Sequence, residues 1–384
     1  MIKKVDLFSL ELTNSCNLDC NFCANQFMER KKGAMDIDLA KRLIKEAKDA
    51  AFCDEITTNV MGEPFLYKNL FLLLKYAAGI NQNICIITNG ERLDEDTSER
   101  LFEHPPSTIG ISYHCNNEES FVYQRPSISY DEYKGRVLNL VDLKFRKKIK
   151  TKIGINLLST INKPHDKFPI LESMEDIRNF SVEWIGFANS LKKKYAISWT
   201  VPDFLYHGTN MLLPGFWVTL KLRYHEWAGK VMPPETKIVP SNEFSCTDPF
   251  TQFNVLWNGD VTLCCVDYNG DLAYDNINDK SIMEVFHSEK IRKIRKDLIE
   301  SRNIPQKCSI CRGELVNRDG TKYEPEVKFP PSNVFYNIKR SYFLFRRLMW
   351  QYPAPRSLFK RIIMRTDIGN KLHRSVLKNF KLKK

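Results

Sequence analysis

Short apolar, β-branched runs alternate with longer amphipathic stretches through the first half of this chain, and that alternation limits the fold more than any other feature. The runs at 5–12, 55–60, 84–88, 108–113, 152–158 and 182–187 have the length and composition of strands. Between them, Asp36 opens a helical pattern through Ile37, Leu39, Ala40, Leu43, Ile44 and Ala47, and residues 68–78, 94–103, 131–147 and 169–179 repeat the helical period. Successive parallel strands need a crossover long enough for a helix. Six such strand-and-helix units by about residue 190 therefore predict an α/β domain built around a parallel sheet.

Cysteine usage supplies the next constraint. The chain has 11 cysteines; it has no apolar run long enough to cross a membrane and no signal-peptide core, so a cytoplasmic location is expected, where thiols serve metal or redox chemistry more often than disulfides. Cys16, Cys20 and Cys23 form C-x3-C-x2-C just after the first strand. Three thiolates complete neither a tetrahedral zinc site nor the four corners of an iron-sulfur cluster. Either a fourth ligand comes from elsewhere, zinc being the alternative in that case, or one iron stays open to bind a small molecule.

The segment Cys16-Asn17-Leu18-Asp19-Cys20-Asn21-Phe22-Cys23 resembles the signature of the radical S-adenosylmethionine (SAM) enzymes. The resemblance implies a partial (βα)6 TIM-type barrel and a 4Fe-4S cluster whose open iron chelates the amino and carboxylate groups of SAM. Reduction by a flavodoxin- or ferredoxin-type partner would then cleave SAM to methionine and a 5′-deoxyadenosyl radical. Phe22 is expected beside the cluster and the adenine. Met61-Gly62-Glu63-Pro64 follows the second strand and resembles the family's GGEP motif with methionine in place of the first glycine. Gly62 would allow close backbone approach, and Glu63 or its neighbouring carbonyls would receive the SAM ammonium. Thr88, Ser112, Arg125 and Asn156 fall where the family makes polar contacts to SAM, with Arg125 suited to its carboxylate. If Ser112 points inward, strand alternation turns His114 inward too, as a candidate catalytic residue, and sends Cys115 to the helical layer.

Residues 191–243 are aromatic and irregular, with five prolines, and read as a connector capping the barrel. Cys246 follows, then two alternating runs around Asn258-Gly259, a hairpin signal for a type I′ turn. Cys264 and Cys265 close the second run and are expected on opposite faces. A helix is expected over 281–298, and Cys308-Ser309-Ile310-Cys311 places two thiols one turn apart. The pattern C-x12-G-x4-C with a distant C-x2-C resembles the SPASM and Twitch domains of part of the radical SAM family. It implies that Cys246, Cys264, Cys308 and Cys311 hold one auxiliary 4Fe-4S cluster, with a four-cysteine zinc site as the alternative. Cys265 and Asp267, just downstream, are candidate bases. The domains expected are thus a barrel core at 1–190, the connector at 191–243, the auxiliary domain at 244–316 and a basic extension at 317–384.

The net charge is +12, yet residues 333–384 carry fourteen Lys and Arg against the single acid Asp367, leaving the rest at −1 (12 − 13). The tail alternates aromatic and basic residues, which suits an anionic membrane or an RNA surface, or a helical extension docked on the barrel with a solvated basic face; weak peripheral membrane attachment is the expectation, with no specific nucleic acid. The function expected is oxidation, or another radical modification, of a small molecule such as a carbohydrate or lipid-linked sugar, the auxiliary cluster accepting an electron. The alternative is a maturase acting on a ribosomal peptide or protein side chain; only fifteen residues precede Cys16, which leaves no room for a leader-recognition domain.

Overall fold

A computed structural model of the chain describes residues 4–204, 208–222 and 224–324. The expected basic membrane segment lies almost wholly at 325–384, outside the described residues. Among those described, no helix is long and apolar enough to cross a membrane.

Five of the expected strands form where the pattern placed them: β1 (Leu7–Leu10), β2 (Glu55–Thr57), β3 (Asn83–Thr88), β4 (Thr108–Ser112) and β5 (Lys152–Leu158). They pair in parallel in that order. Helices α1 (Ile37–Asp49), α2 (Leu70–Gly79), α3 (Glu95–Leu101), α4 (Glu118–Val122) and α5 (Tyr130–Arg146) supply the crossovers. Asp36 caps α1 by accepting from the backbone N–H of Asp38 and Leu39. The barrel class read from the sequence holds.

The sixth strand does not. Residues 182–187 lie inside one long helix, α6 (Met174–Lys194), opened by a Ser173–Asp176 capping box. Its buried residues Ile177, Phe180, Ser181, Trp184, Ala188 and Leu191 follow the helical period, while Val182 is 68% exposed, the reverse of what strand alternation would give. After α6 come β6 (Gly208–Leu213) and β7 (Phe216–Lys221). β7, inside the segment expected to be a connector, is the sixth parallel strand and pairs with β5; β6 runs antiparallel at its outer edge.

The auxiliary segment is built into the same sheet. It comprises β8 (Thr236–Val239), α7 (Asp248–Thr251), β9 (Gln252–Val255), β10 (Asp260–Thr262), β11 (Ala273–Asn276), α8 (Ile282–Phe286), α9 (Glu289–Ile299), α10 (Gln306–Cys311) and β12 (Glu314–Asn317). β9 pairs in parallel with β1, β10 and β11 extend that edge, and β8 with β12 forms a separate ribbon. The turn between β9 and β10 is not type I′. Only Gly259 has positive φ, and the N–H of Gly259 bonds the Leu256 carbonyl, so Trp257 and Asn258 form an ordinary tight turn followed by a left-handed glycine. The expected single helix at 281–298 is two, broken at His287 and Ser288, with Ser288 capping α9.

Side-chain direction divides the sheet into two chemistries. Phe8 and Phe253 point to the helical layer, where they meet Phe52 and Phe286 edge-on at centroid distances of 5.2 to 5.9 Å. Ile111 points the same way, toward the site of Gly90 and Tyr133. The residues between them, Ser9, Glu11, Ser112, Asn156 and Thr219 among them, line the opposite, inner face. At the end of β1, Glu11 is fully buried and receives both amino groups of Arg30, the Met61 N–H and the Trp257 N–H. Replacing Glu11 with Gln leaves the half-buried Arg30 without a counter-charge. We expect a loss of about 3 kcal/mol in unfolding free energy, read by chemical denaturation of the apo chain.

Candidate active site

The cysteine triplet occupies the loop after β1, at the C-terminal ends of the parallel strands. Cys16, Cys20 and Cys23 are free thiols, all half-buried. Burial raises each pKa, that of Cys23 to about 11, and Cys20 is raised further by its two partners. The loop offers main-chain donors to sulfur: the Leu18 N–H lies 3.5 Å from Cys16 Sγ and the Asn25 N–H 3.4 Å from Cys23 Sγ. Three convergent thiols with N–H donors suit an iron-sulfur cluster with one open corner.

Gly62 and Glu63 hold this loop in place. Gly62 has φ of +81°, and a Cβ there would stand 2.3 Å from the Thr13 carbonyl oxygen and 2.8 Å from that of Ser15. The Glu63 N–H donates to the Ser15 carbonyl at 2.8 Å. Its buried carboxylate accepts from the Thr88 hydroxyl at 2.8 Å, the Asn89 N–H at 2.8 Å and the Phe65 N–H at 3.1 Å. Desolvation pushes the Glu63 pKa up to about 7 against those three bonds. Glu63 and Thr88, expected to contact SAM, are therefore bound to each other and join the ends of β2 and β3; Pro64 starts the short turn that follows. Met61, the departure from two glycines, is buried with Ala24, Val60, Leu256 and Tyr268, and so seats the auxiliary hairpin beneath the cysteine loop.

Arg125 also differs from expectation. Its guanidinium pairs with Asp19, inside the cysteine loop, and its side chain is 62% exposed. The neighbouring backbone completes the clasp, with the Tyr123 carbonyl accepting from the Asn21 N–H at 2.9 Å. A second network escaped sequence reading: Asn89 donates to Asn17 at 3.0 Å and lies 3.8 Å from Cys16 Sγ, while buried Glu91 accepts from Asn17 and from Ser127. The signal for it was present in Asn17, beside Cys16, and in Asn89 and Glu91, which end β3.

On the inner face, Ser112 and Asn156 are cross-strand neighbours, and Trp217 and Thr219 continue the row on β7. The Trp217 ring lies directly over Gly154. His114 points inward as alternation predicted. Its ring meets Phe22 edge-on at 5.4 Å, its Nδ1 is buried without a hydrogen-bond partner among the described residues, and burial, with Lys221 adding to it, lowers its pKa to about 3. The imidazole is thus neutral at physiological pH and has a lone pair to offer. Cys115 is buried on the helical side as expected. The His225–Gly229 segment, to which the sequence assigned no chemistry, braces the site: Trp227 Nε1 donates to the Phe22 carbonyl at 2.9 Å and its ring meets Tyr268 at 6.3 Å.

The second cysteine set also converges. Cys246 and Cys308 pack on one small core of Phe244, Phe250, Leu298 and Ile299, and α10 presents Cys308 and Cys311 three residues apart. Cys264 accepts from the Val266 N–H at 3.4 Å. Asp248, unnoticed in the sequence, lies within electrostatic reach of Cys246, Cys264, Cys265, Cys308 and Cys311. Cys264 and Cys265 both lie beyond the end of β10, so the alternation expected to send them to opposite faces does not reach them; Cys264 Sγ lies 3.8 Å from the Asp248 carboxylate. The donor set fits a four-thiolate cluster.

Asp267 is not placed to act as a base. It is buried and accepts from the Thr262 hydroxyl, the Leu272 N–H at 2.8 Å, the Asp271 N–H at 3.1 Å and Lys307 Nζ at 2.8 Å. Four donors fill its lone pairs, and Lys307 adjoins Cys308, so Asp267 fixes α10 against the hairpin.

A partial α/β barrel carrying a three-thiol loop at its strand ends, with a four-thiol site built on an added hairpin, defines an iron-sulfur enzyme of the SAM-cleaving class. Residues 10–166 match the model of the radical SAM superfamily and residues 246–312 that of the SPASM iron-sulfur cluster-binding domain. The chain belongs to the radical SAM superfamily, with SAM and 4Fe-4S clusters as its cofactors. It is 29% identical over 124 residues to an S-adenosyl-L-methionine-dependent 2-deoxy-scyllo-inosamine dehydrogenase of Niallia circulans, covering 32% of this chain and 50% of that one. It is 31% identical over 99 residues to an S-adenosylmethionine-dependent nucleotide dehydratase of Lacinutrix mariniflava, covering 24% and 20%. The chain thus spans half or less of these relatives. Among solved structures, Streptococcus suis SuiB bound to S-adenosylmethionine shares the fold, with a TM-score of 0.51 at 16% identity over 76% of this chain and 68% of that one.

Two substitutions test the geometry. Gly62→Ala forces a side chain into the backbone of the cysteine loop and costs about 1–2 kcal/mol for its left-handed φ alone; SAM affinity of the reconstituted protein, by equilibrium dialysis, should fall at least about tenfold. Asp267→Asn removes the charge that holds Lys307; after reconstitution the protein should lose about four irons per chain, those of one cluster, by iron and sulfide analysis.

Proposed function

We propose that this radical SAM enzyme oxidises a polar small molecule at a carbon bearing hydrogen and hydroxyl, giving a carbonyl. The observation that supports this reading most is the inner face of the sheet, where Ser112, Asn156 and Thr219 lead to the unpartnered imidazole of His114 beside Phe22. Hydroxyl and amide side chains in a row suit a substrate rich in hydroxyls.

Cys16, Cys20 and Cys23 would hold the SAM-binding cluster, and Cys246, Cys264, Cys308 and Cys311 the auxiliary one. Between them these cofactors supply the radical that removes a hydrogen atom and an acceptor for the second electron. The protein's own part is to orient the substrate and take the proton. Ser112, Asn156 and Thr219 bind hydroxyls and fix which carbon faces Phe22. His114, which burial keeps neutral, offers Nδ1 as a hydrogen-bond partner to a substrate hydroxyl beside Phe22. Cys265, within electrostatic reach of Lys221, is the candidate to take the hydroxyl proton as the carbonyl forms.

The test is 5′-deoxyadenosine formation by anaerobically reconstituted, reduced protein with cell extract, intact or protease-digested. Stimulation that survives digestion is expected. Stimulation abolished by digestion would overturn the small-molecule reading in favour of a peptide or protein substrate.

A further inference from the structure

Lys221 ends β7, and its carbonyl accepts from the Ser159 N–H at 2.7 Å. Alternation along β7 buries Phe216, Val218 and Leu220 on the helical side and turns Trp217, Thr219 and Lys221 to the inner face. Lys221 is therefore the cation at the head of the row that Ser112, Asn156 and Thr219 begin. It lies within electrostatic reach of His114 on β4 and of Cys265 beyond β10. In the sheet, β7 and β10 are separated by six strands, so this proximity exists because the sheet curls and brings its two sides together across the lumen.

Among the described residues the ammonium has no anionic partner. It makes no hydrogen bond or ion pair with them, and no carboxylate is among the groups that act on it; those facing it are the His114 imidazole and the Cys265 thiol. Its side chain keeps contact with solvent yet is surrounded closely enough for desolvation to lower its pKa. The other lysines near the chemistry are committed, Lys32 to Asn14 and Asn25, and Lys307 to Asp267 and Asp271. Exposed at the strand end on the inner face and claimed by no described carboxylate, the ammonium is available to pair with an anionic group of a ligand that enters there.

We infer that Lys221 is a substrate-anchoring residue that receives an anionic group, a phosphate or a carboxylate, carried by the substrate. This rests on the small-molecule reading above and narrows it to anionic polyhydroxy compounds. The anchor fixes one end of the substrate at β7, while Thr219, Asn156 and Ser112 lead its hydroxyl-bearing carbons toward His114 and Phe22.

Two measurements test it. The holoenzyme with SAM is acylated anaerobically with acetic anhydride in the presence of glucose 6-phosphate, gluconate or glucose at equal concentration, and labelling of Lys221 is read by peptide mass spectrometry with the exposed Lys45 as reference. At least one of the two anions should lower Lys221 labelling about threefold or more relative to glucose, and which one does so tells phosphate from carboxylate. Equal labelling with all three overturns the inference. Separately, protease-digested extract is divided by anion exchange, and each fraction is assayed with wild type, Lys221→Met and Lys221→Arg, every rate being normalised to that variant's own unstimulated rate. Stimulation should reside in the retained fraction, fall about tenfold or more in Lys221→Met and return in part in Lys221→Arg. Stimulation in the unretained fraction, or full stimulation of Lys221→Met, overturns the inference and leaves the small-molecule reading standing. A shift in the auxiliary cluster's midpoint potential in Lys221→Met with stimulation intact likewise overturns it, making the lysine a counter-ion to that cluster. If digested extract stimulates no protein at all, the small-molecule reading falls, and the labelling result still decides whether Lys221 binds anions.

Discussion

The buried carboxylate of Glu11 is the contact on which the arrangement of this protein depends. It stands at the end of the first strand and takes one bidentate guanidinium and two backbone N–H groups, each from a different part of the chain. Arg30 comes from the segment just after the cysteine triplet, Met61 from the turn that carries Gly62 and Glu63, and Trp257 from the auxiliary hairpin. Arg30 then passes the connection on through its Nε to the Tyr268 carbonyl at 2.7 Å. A buried ion pair adds little net stability over an apolar substitute, but it tolerates little displacement, because loss of either partner leaves a bare charge. Here that intolerance fixes the position of both cysteine sets relative to the same strand.

The inner face of the sheet follows from the same economy of partners. Parallel strands in a barrel are usually apolar on both faces, since both are covered. In this chain the helical face obeys that rule, whereas the inner face carries serine, asparagine, threonine and glutamate. Ser9 and Asn254 are cross-strand neighbours there and almost fully buried, and Asn254 Oδ1 has no partner among the described residues. Polar atoms are not left unpaired in a packed interior without cost. Their concentration on one face, together with the unpaired Nδ1 of His114, is what an interior built to receive polar ligands requires.

What could be read from the sequence was what depends on local pattern. Five strands and the helices between them follow from periodicity, and both cysteine sets follow from spacing. The sixth strand was misread because the apolar residues of Val182 to Phe187 fill a stretch too short to separate a strand from one face of a helix; the Ser173–Asp176 cap and the burial of Trp184, Ala188 and Leu191 decide for the helix. The protein partners of Glu63, Arg125 and Asp267 could not be read for a different reason. Each has the right chemistry to touch a ligand, but a carboxylate or guanidinium is spent on whatever partner the fold brings nearest, and those partners, Asn89, Asp19 and Lys307, come from distant segments. Lys221 was overlooked because its strand was assigned to an irregular connector.

The methionine at position 61 shows how the two cysteine sites constrain each other. A glycine there would leave the turn free to approach the ligand but would bury nothing. Methionine instead fills the space between Ala24, next to Cys23, and Leu256 and Tyr268 of the auxiliary segment, while its N–H is held by Glu11. The turn that positions Gly62 against the cysteine loop is thereby also the seat of the hairpin leading to Cys264. Because interiors are close-packed, a shift of that hairpin is transmitted through Met61 to Gly62, whose path between the Thr13 and Ser15 carbonyls has no slack. Met61 therefore adds a packing link between the auxiliary site and the cysteine loop to the polar one that Glu11 and Arg30 make.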